Sequence, residues 1–112
     1  MMLDDGQIYE IFSRVKELGG IVGVHCENHG IVQSRLKELE KTKGRTDIAD
    51  YSWIHPKEAE AEAVRRILKI AKCADVPVII VNLSTAAGYR EILKAREIGQ
   101  TVYARRVRNI FF

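Results

Sequence analysis

The sequence predicts an α/β fold built on about three parallel strands, over residues 21–26, 77–83 and 101–104, with four helices. Three observations carry this reading. Apolar residues recur at helical spacing in four stretches, and short runs rich in Val and Ile lie between them. The run Val76–Leu83 is apolar almost without alternation, the mark of a strand covered on both faces. Strands that alternate with helices need crossover connections, and these produce a parallel sheet with helices packed on it.

Each element has its own local reason. Ile8, Ile11, Phe12, Val15 and Leu18 share one helical stripe, Asp4 is placed to cap it and Gly19-Gly20 to stop it, which gives a helix over residues 4–18. The short β-branched run Ile21–Cys26 sits between those glycines and the polar Glu27-Asn28-His29-Gly30, as a buried strand does. Ile31, Val32, Leu36 and Leu39 predict a second helix ending near Gly44. Arg45–His55 has no period and contains Asp47, Asp50 and Ser52, so it reads as loop, with Tyr51 and Trp53 expected to pack over the rim of the fold.

Pro56 suits a first helical turn, and Lys57–Cys73 is the longest helix, with Ala63, Ile67, Ile70 and Ala71 on its apolar stripe. Pro77 fits the first position of the strand that follows. Ser84 or Thr85 can cap a helix carrying Tyr89, Ile92, Leu93 and Ala95 that stops at Gly99, after which Thr101–Ala104 forms the third strand. No internal repeat is visible in the residues.

The 112 residues, 46% hydrophobic and 29% charged, describe one globular unit or part of one, which rules out a two-lobed enzyme. No apolar run approaches the ~20 residues of a membrane span and no leader-like segment opens the chain, so a cytoplasmic setting with no membrane partner is expected. Cys26 and Cys73 lack C-x-x-C spacing and read as reduced packing residues. The formal charge is +3, and removing Arg105, Arg106 and Arg108 leaves 3 − 3 = 0, so the basicity is local and no nucleic-acid partner is expected. The Lys37–Lys43 run reads as a solvated helix end. Three strands leave two unpaired edges, so self-association through them or missing chain is expected, and a small homo-oligomeric α/β interaction module without catalysis is the alternative reading.

His25 is the candidate for chemistry, and a hydrogen-bonded structural histidine at a strand end is the alternative that the residues alone leave open. It falls at the C-terminal end of its strand, where parallel folds collect functional groups, on the same face as Ile21 and the small Gly23. The pattern His-x-Glu-Asn-His supplies metal-competent and acid–base side chains within a few positions. His29 and His55 read as exposed or loop histidines.

Val24-His25-Cys26-Glu27-Asn28 resembles the H-[AC]-E-N segment of hydantoinases and dihydropyrimidinases. The resemblance continues in Pro56-Lys57-Glu58-Ala59-Glu60-Ala61-Glu62-Ala63-Val64, similar to the family's R-P-x-x-x-E-x-E-A-V, and in Val81-Asn82-Leu83-Ser84-Thr85-Ala86, similar to V-H-[VL]-S-[ST]. Over residues 3–104 the chain thus resembles an internal fragment of these cyclic amidohydrolases. The resemblance implies part of a TIM (β/α)8 barrel and hydrolysis of cyclic amide C–N bonds by water activated on divalent metal, zinc.

It also implies that His25 is a metal ligand and that Glu27 and Asn28 orient it from behind. Asn82 stands where the family has a second histidine, and an amide oxygen is a poorer ligand for a transition metal than imidazole. The family's other ligands and its base have no counterpart in this chain, so no complete catalytic set is expected, metal is expected absent or weakly bound, and the chain alone is expected to be inactive. Residues 105–112 form a basic tail outside the resemblance. Their codons can be drawn so that one restored base reads Ala-Glu-Thr-Cys-Pro-Gln-Tyr-Leu, like the family's continuation, which predicts a frameshift product.

Overall fold

In a computed structural model that describes residues 3–44 and 47–106, the chain alternates helices with a three-stranded sheet. The order is α1 (Asp5–Glu17), β1 (Val22–His25), α2 (His29–Thr42), a 3-10 turn (Ile48–Asp50), α3 (Tyr51–Ile54), α4 (Lys57–Ala74), β2 (Val78–Leu83), α5 (Ala86–Glu97) and β3 (Val102–Arg106). Both strand pairs are parallel, β2 is central, and Val22, Val78 and Val102 stand side by side across the sheet. The segment Asp47–His55 is therefore largely helical where loop was expected, adding a fifth, four-residue α-helix; Ile54 explains it, packing under Val32 and Leu39 of α2 in a small core of its own. Tyr51 and Trp53 pack locally too, Tyr51 stacking on His55 and Trp53 lying under Arg35.

The helices α1, α4 and α5 form a layer on one face of the sheet. Strand alternation sends Val22, Val78, Ile80 and Val102 into that interface, where they meet Phe12, Val64, Ile67, Leu68 and Ile92. Burying each of the larger side chains contributes about 1.5–3 kcal/mol. By the same alternation Gly23, His25, Ile79, Val81 and Tyr103 take the opposite face. Cys26 is buried as expected, but Cys73 is exposed, because it falls on the solvent side of α4 away from the Ala63–Ile67–Ala71 stripe.

All three helix-to-strand turns are built alike. Gly19, Asp75 and Gly99 occupy the left-handed region at φ 74°, 55° and 87°, and each stands three positions ahead of one of the aligned valines. In each turn the next N–H reaches back to a carbonyl in the last helical turn: Gly20 to Val15 (3.0 Å), Val76 to Ala71 (3.1 Å) and Gln100 to Ala95 (3.1 Å). This closure satisfies helix-end carbonyls and aims the chain into the sheet. The structure thus contains a repeat that the residues conceal.

Candidate functional site

The C-terminal ends of the strands gather most of the polar groups singled out above. β1 ends at His25, whose imidazole is exposed beside Val81 of β2. The next residue of β2, Asn82, is exposed and left-handed at φ 56°, a conformation Asn tolerates better than most residues. Register against β3 slips between Ile80 and Leu83, so Asn82 sits in a bulge at the strand end.

Two side chains next to His25 are engaged elsewhere. Glu27 Oε1 lies 2.7 Å from His55 Nδ1, a half-buried pair that closes the Asp47–His55 segment onto the end of β1. Asn28 caps α2, accepting from Ile31 N at 3.1 Å, and its amide donates to Glu62 Oε1 at 2.9 Å. Neither has a hydrogen bond to His25 among the described residues. His55 therefore has a definite partner that its sequence position did not reveal, and His29 is the exposed first residue of α2.

Glu60 is the residue the sequence reading passed over. It is 6% exposed, and its carboxylate accepts four hydrogen bonds from the two residues that follow β2. Ser84 N and Oγ donate to Oε2 at 3.0 and 2.7 Å, while Thr85 N and Oγ1 donate to Oε1 at 2.9 and 2.6 Å. Thr85 Oγ1 in turn caps α5 by accepting from Gly88 N at 3.0 Å. A Cβ at Gly88 would stand 2.5 Å from Glu60 Oε1, so only glycine fits over the carboxylate. Glu60 thus pins the turn that follows β2, just past Asn82. The signal was present: Glu60 and Ser84-Thr85 belong to two of the three motifs, and the structure joins them.

Cys26 lies behind His25 with its thiol pushed up to about 12, chiefly by burial and further by the charge of Glu60, with Arg66 opposing. It stays protonated at neutral pH and offers neither a thiolate ligand nor a nucleophile. Arg66 faces the same region, held at 3.2 Å to both Asp5 and Glu62. Its Nε points off line from Glu62, so that contact is an ion pair without a hydrogen bond.

Among the described residues no three His, Cys, Asp or Glu side chains group as a metal site. His25 offers one imidazole and Asn82 one amide, which falls short of the three or four ligands a zinc ion takes.

No protein-family model matches the chain. Solved structures do. A D-hydantoinase from Bacillus sp. AR9 superposes with a TM-score of 0.87 at 31% identity, and a dihydropyrimidinase from Brevibacillus agri NCHU1002 with 0.86 at 35%; each match covers 94% of this chain and 23% of the other. The chain belongs to the hydantoinase and dihydropyrimidinase family. Within that wider amidohydrolase family, an allantoinase of Escherichia coli O9:H4 (strain HS) is 37% identical over 100 residues, 89% of this chain. The chain spans 22% of that allantoinase, so it corresponds to under a quarter of the relatives' length, three parallel strands of a hydantoinase-type barrel. No helix among the described residues is long and apolar enough to cross a membrane.

Proposed function

We propose that this chain is the His25-bearing part of an enzyme that hydrolyses ring C–N bonds of cyclic amides, and that it does not turn over by itself. What supports the first half is one observation: an exposed imidazole at the C-terminal end of β1, beside the pinned strand end at Asn82, in a sheet that superposes on hydantoinases. The ring substrates named by the relatives, hydantoins, dihydropyrimidines and allantoin, are all cyclic ureides, so a carbonyl flanked by ring nitrogen is the expected target. Divalent metal, zinc in this reading, supplies the activated water in such chemistry. This chain's part is one ligand, His25, with the Asn82 strand end as site wall and Glu27 and Asn28 holding the backbone behind it. A cytoplasmic setting fits the two unpaired thiols.

What supports the second half is the ligand count, since one imidazole and one amide hold a divalent ion weakly. The experiment is metal analysis of the purified chain together with ring opening of hydantoin, dihydrouracil and allantoin. Substoichiometric zinc and no turnover are expected. Stoichiometric zinc with turnover would contradict the claim that the chain alone is incomplete.

A further inference from the structure

Aligned on Gly19, Asp75 and Gly99, the three helix–turn–strand units can be compared position by position. Arg65 and Lys69 of α4 correspond to Tyr89 and Leu93 of α5, and Glu91 and Ile98 of α5 correspond to Ile11 and Leu18 of α1. At the seam inside the molecule, Arg65, Lys69, Glu91 and Ile98 line the cleft between α4 and α5. Glu91 and Ile98 face α4, so Tyr89 and Leu93, across the buried Ile92, face away from it. Asp5 and Lys16 pair with Arg66 and Asp75 on the α4 side of α1, which puts Ile11 and Leu18 on its outer flank.

Those outer flanks are apolar on both sides. Tyr89 and Leu93 are 42% and 41% exposed, Ile11 and Leu18 46% and 73%. Three of the four corresponding inner positions are charged, whereas both outer flanks present hydrocarbon, as surfaces that a neighbouring helix covers do. Each flank ends in a strand edge unpaired among the described residues, β3 beyond α5 and β1 before α1. Beside β1 runs a groove of about 370 Å³ whose lining includes Ile8, Ile11 and Phe12 of α1, with His25, Glu27 and Arg66 also on its wall.

We infer that the chain associates with further copies of itself head to tail, α5–β3 of one copy against α1–β1 of the next, continuing the parallel sheet. The register follows from the pairings already present. Val22 stands opposite Val78 and Val78 opposite Val102, so Val102 stands opposite Val22 of the next copy. Val22 N–H donates to Pro77 C=O and Val78 N–H to Thr101 C=O, and the same step carries Val102 N–H to Ile21 C=O of the next copy. Tyr89 and Leu93 then cover Ile11 and Leu18. The contact is heterologous, rear to front, so the assembly keeps one free face at either end.

The edge is guarded. Arg96 Nε donates to Val102 O at 2.9 Å and must release that carbonyl before a neighbour can pair with it. One helix flank about 18 Å long and strand edges of roughly 13–17 Å bury on the order of 600 Å² a side, below the ~800 Å² per partner of a standard interface. The assembly therefore grows with concentration.

The test is the mean mass of the full chain by light scattering as its concentration rises, with circular dichroism confirming that each variant is folded. The parent is expected to climb from one chain to at least twice that mass. Leu93→Lys spoils the rear face and Ile11→Lys the front face, and each alone is expected to stay at the mass of one chain. Their equimolar mixture is expected to form a species of twice that mass and none larger, because the intact rear of Ile11→Lys meets the intact front of Leu93→Lys. A parent of constant single-chain mass, single variants that associate like the parent, or a mixture without rescue would overturn the inference.

Discussion

Where helices run into strands, the molecule uses one solution three times; where β1 and β2 run out, the two exits described, it uses two different ones. The entries at Gly19, Asp75 and Gly99 share a left-handed residue, a back-bonded N–H and an aligned valine. The exit from β1 is tied by Glu27 to His55 and by Asn28 to Glu62, whereas the exit from β2 turns through left-handed Asn82 and hangs on buried Glu60. Backbone bonds close all three entries, with one added side-chain tie in the third, where Gln100 Nε2 donates to Leu68 O at 2.8 Å. The exits need specific side chains from distant segments, which is how parallel α/β folds separate the end that builds the sheet from the end that carries chemistry.

Removing an exit tie should therefore cost more than spoiling an entry. Glu60→Ala strips the acceptor from four donors at a buried site and is expected to lower stability by about 3–4 kcal/mol, read as the shift of a denaturant midpoint at constant slope. Gly88→Ala pushes a methyl onto the same carboxylate and onto Leu83, for a loss of about 1–3 kcal/mol. At the entries, Gly19→Ala meets no atom within 4 Å and suffers only from its positive φ, so about 1 kcal/mol is expected. Asp75→Gly should gain a few tenths to ~1 kcal/mol, since glycine takes that φ without strain and the exposed Lys16–Asp75 pair contributes little. If Gly19→Ala costs as much as Glu60→Ala, the contrast between the two ends fails.

The smallest effect separates the two thiols. In the folded chain iodoacetamide should label exposed Cys73 and spare Cys26 at neutral pH, as peptide mass would show. Burial raises the Cys26 thiol from 9.0 to about 12, so folding favours its protonated form; that contribution is complete below pH 9 and is lost as pH rises toward 12. A Cys26→Ser chain should show a shallower loss of stability across that window.

Entries were largely legible in the residues because glycine announces a left-handed helix end, as at Gly19 and Gly99; Asp75 hid the third copy by reaching the same φ with a side chain. Strand directions and the place of His25 at the end of β1 followed from alternation and from the crossover rule. The exits were not legible locally. Glu60 looks like any acidic residue in a first helical turn, and only the fold carries it under Ser84 and Thr85. Asp47–His55 lacks period because its turns bury little beyond Ile54, so neither its helices nor the reach of His55 to Glu27 could be read from spacing. Of the expected basic tail, Arg105 and Arg106 end β3, and residues 107–112, with Arg108, lie outside the described part of the chain.

That the ends of β1 and β2 face one ligand site is tested most directly by giving β2 the imidazole it lacks. Cobalt(II) added to the Asn82→His chain should produce a d–d absorption that is absent from the parent and from the chain carrying both His25→Ala and Asn82→His. Equal absorption with and without His25 would contradict the placement of these two strand ends around one metal.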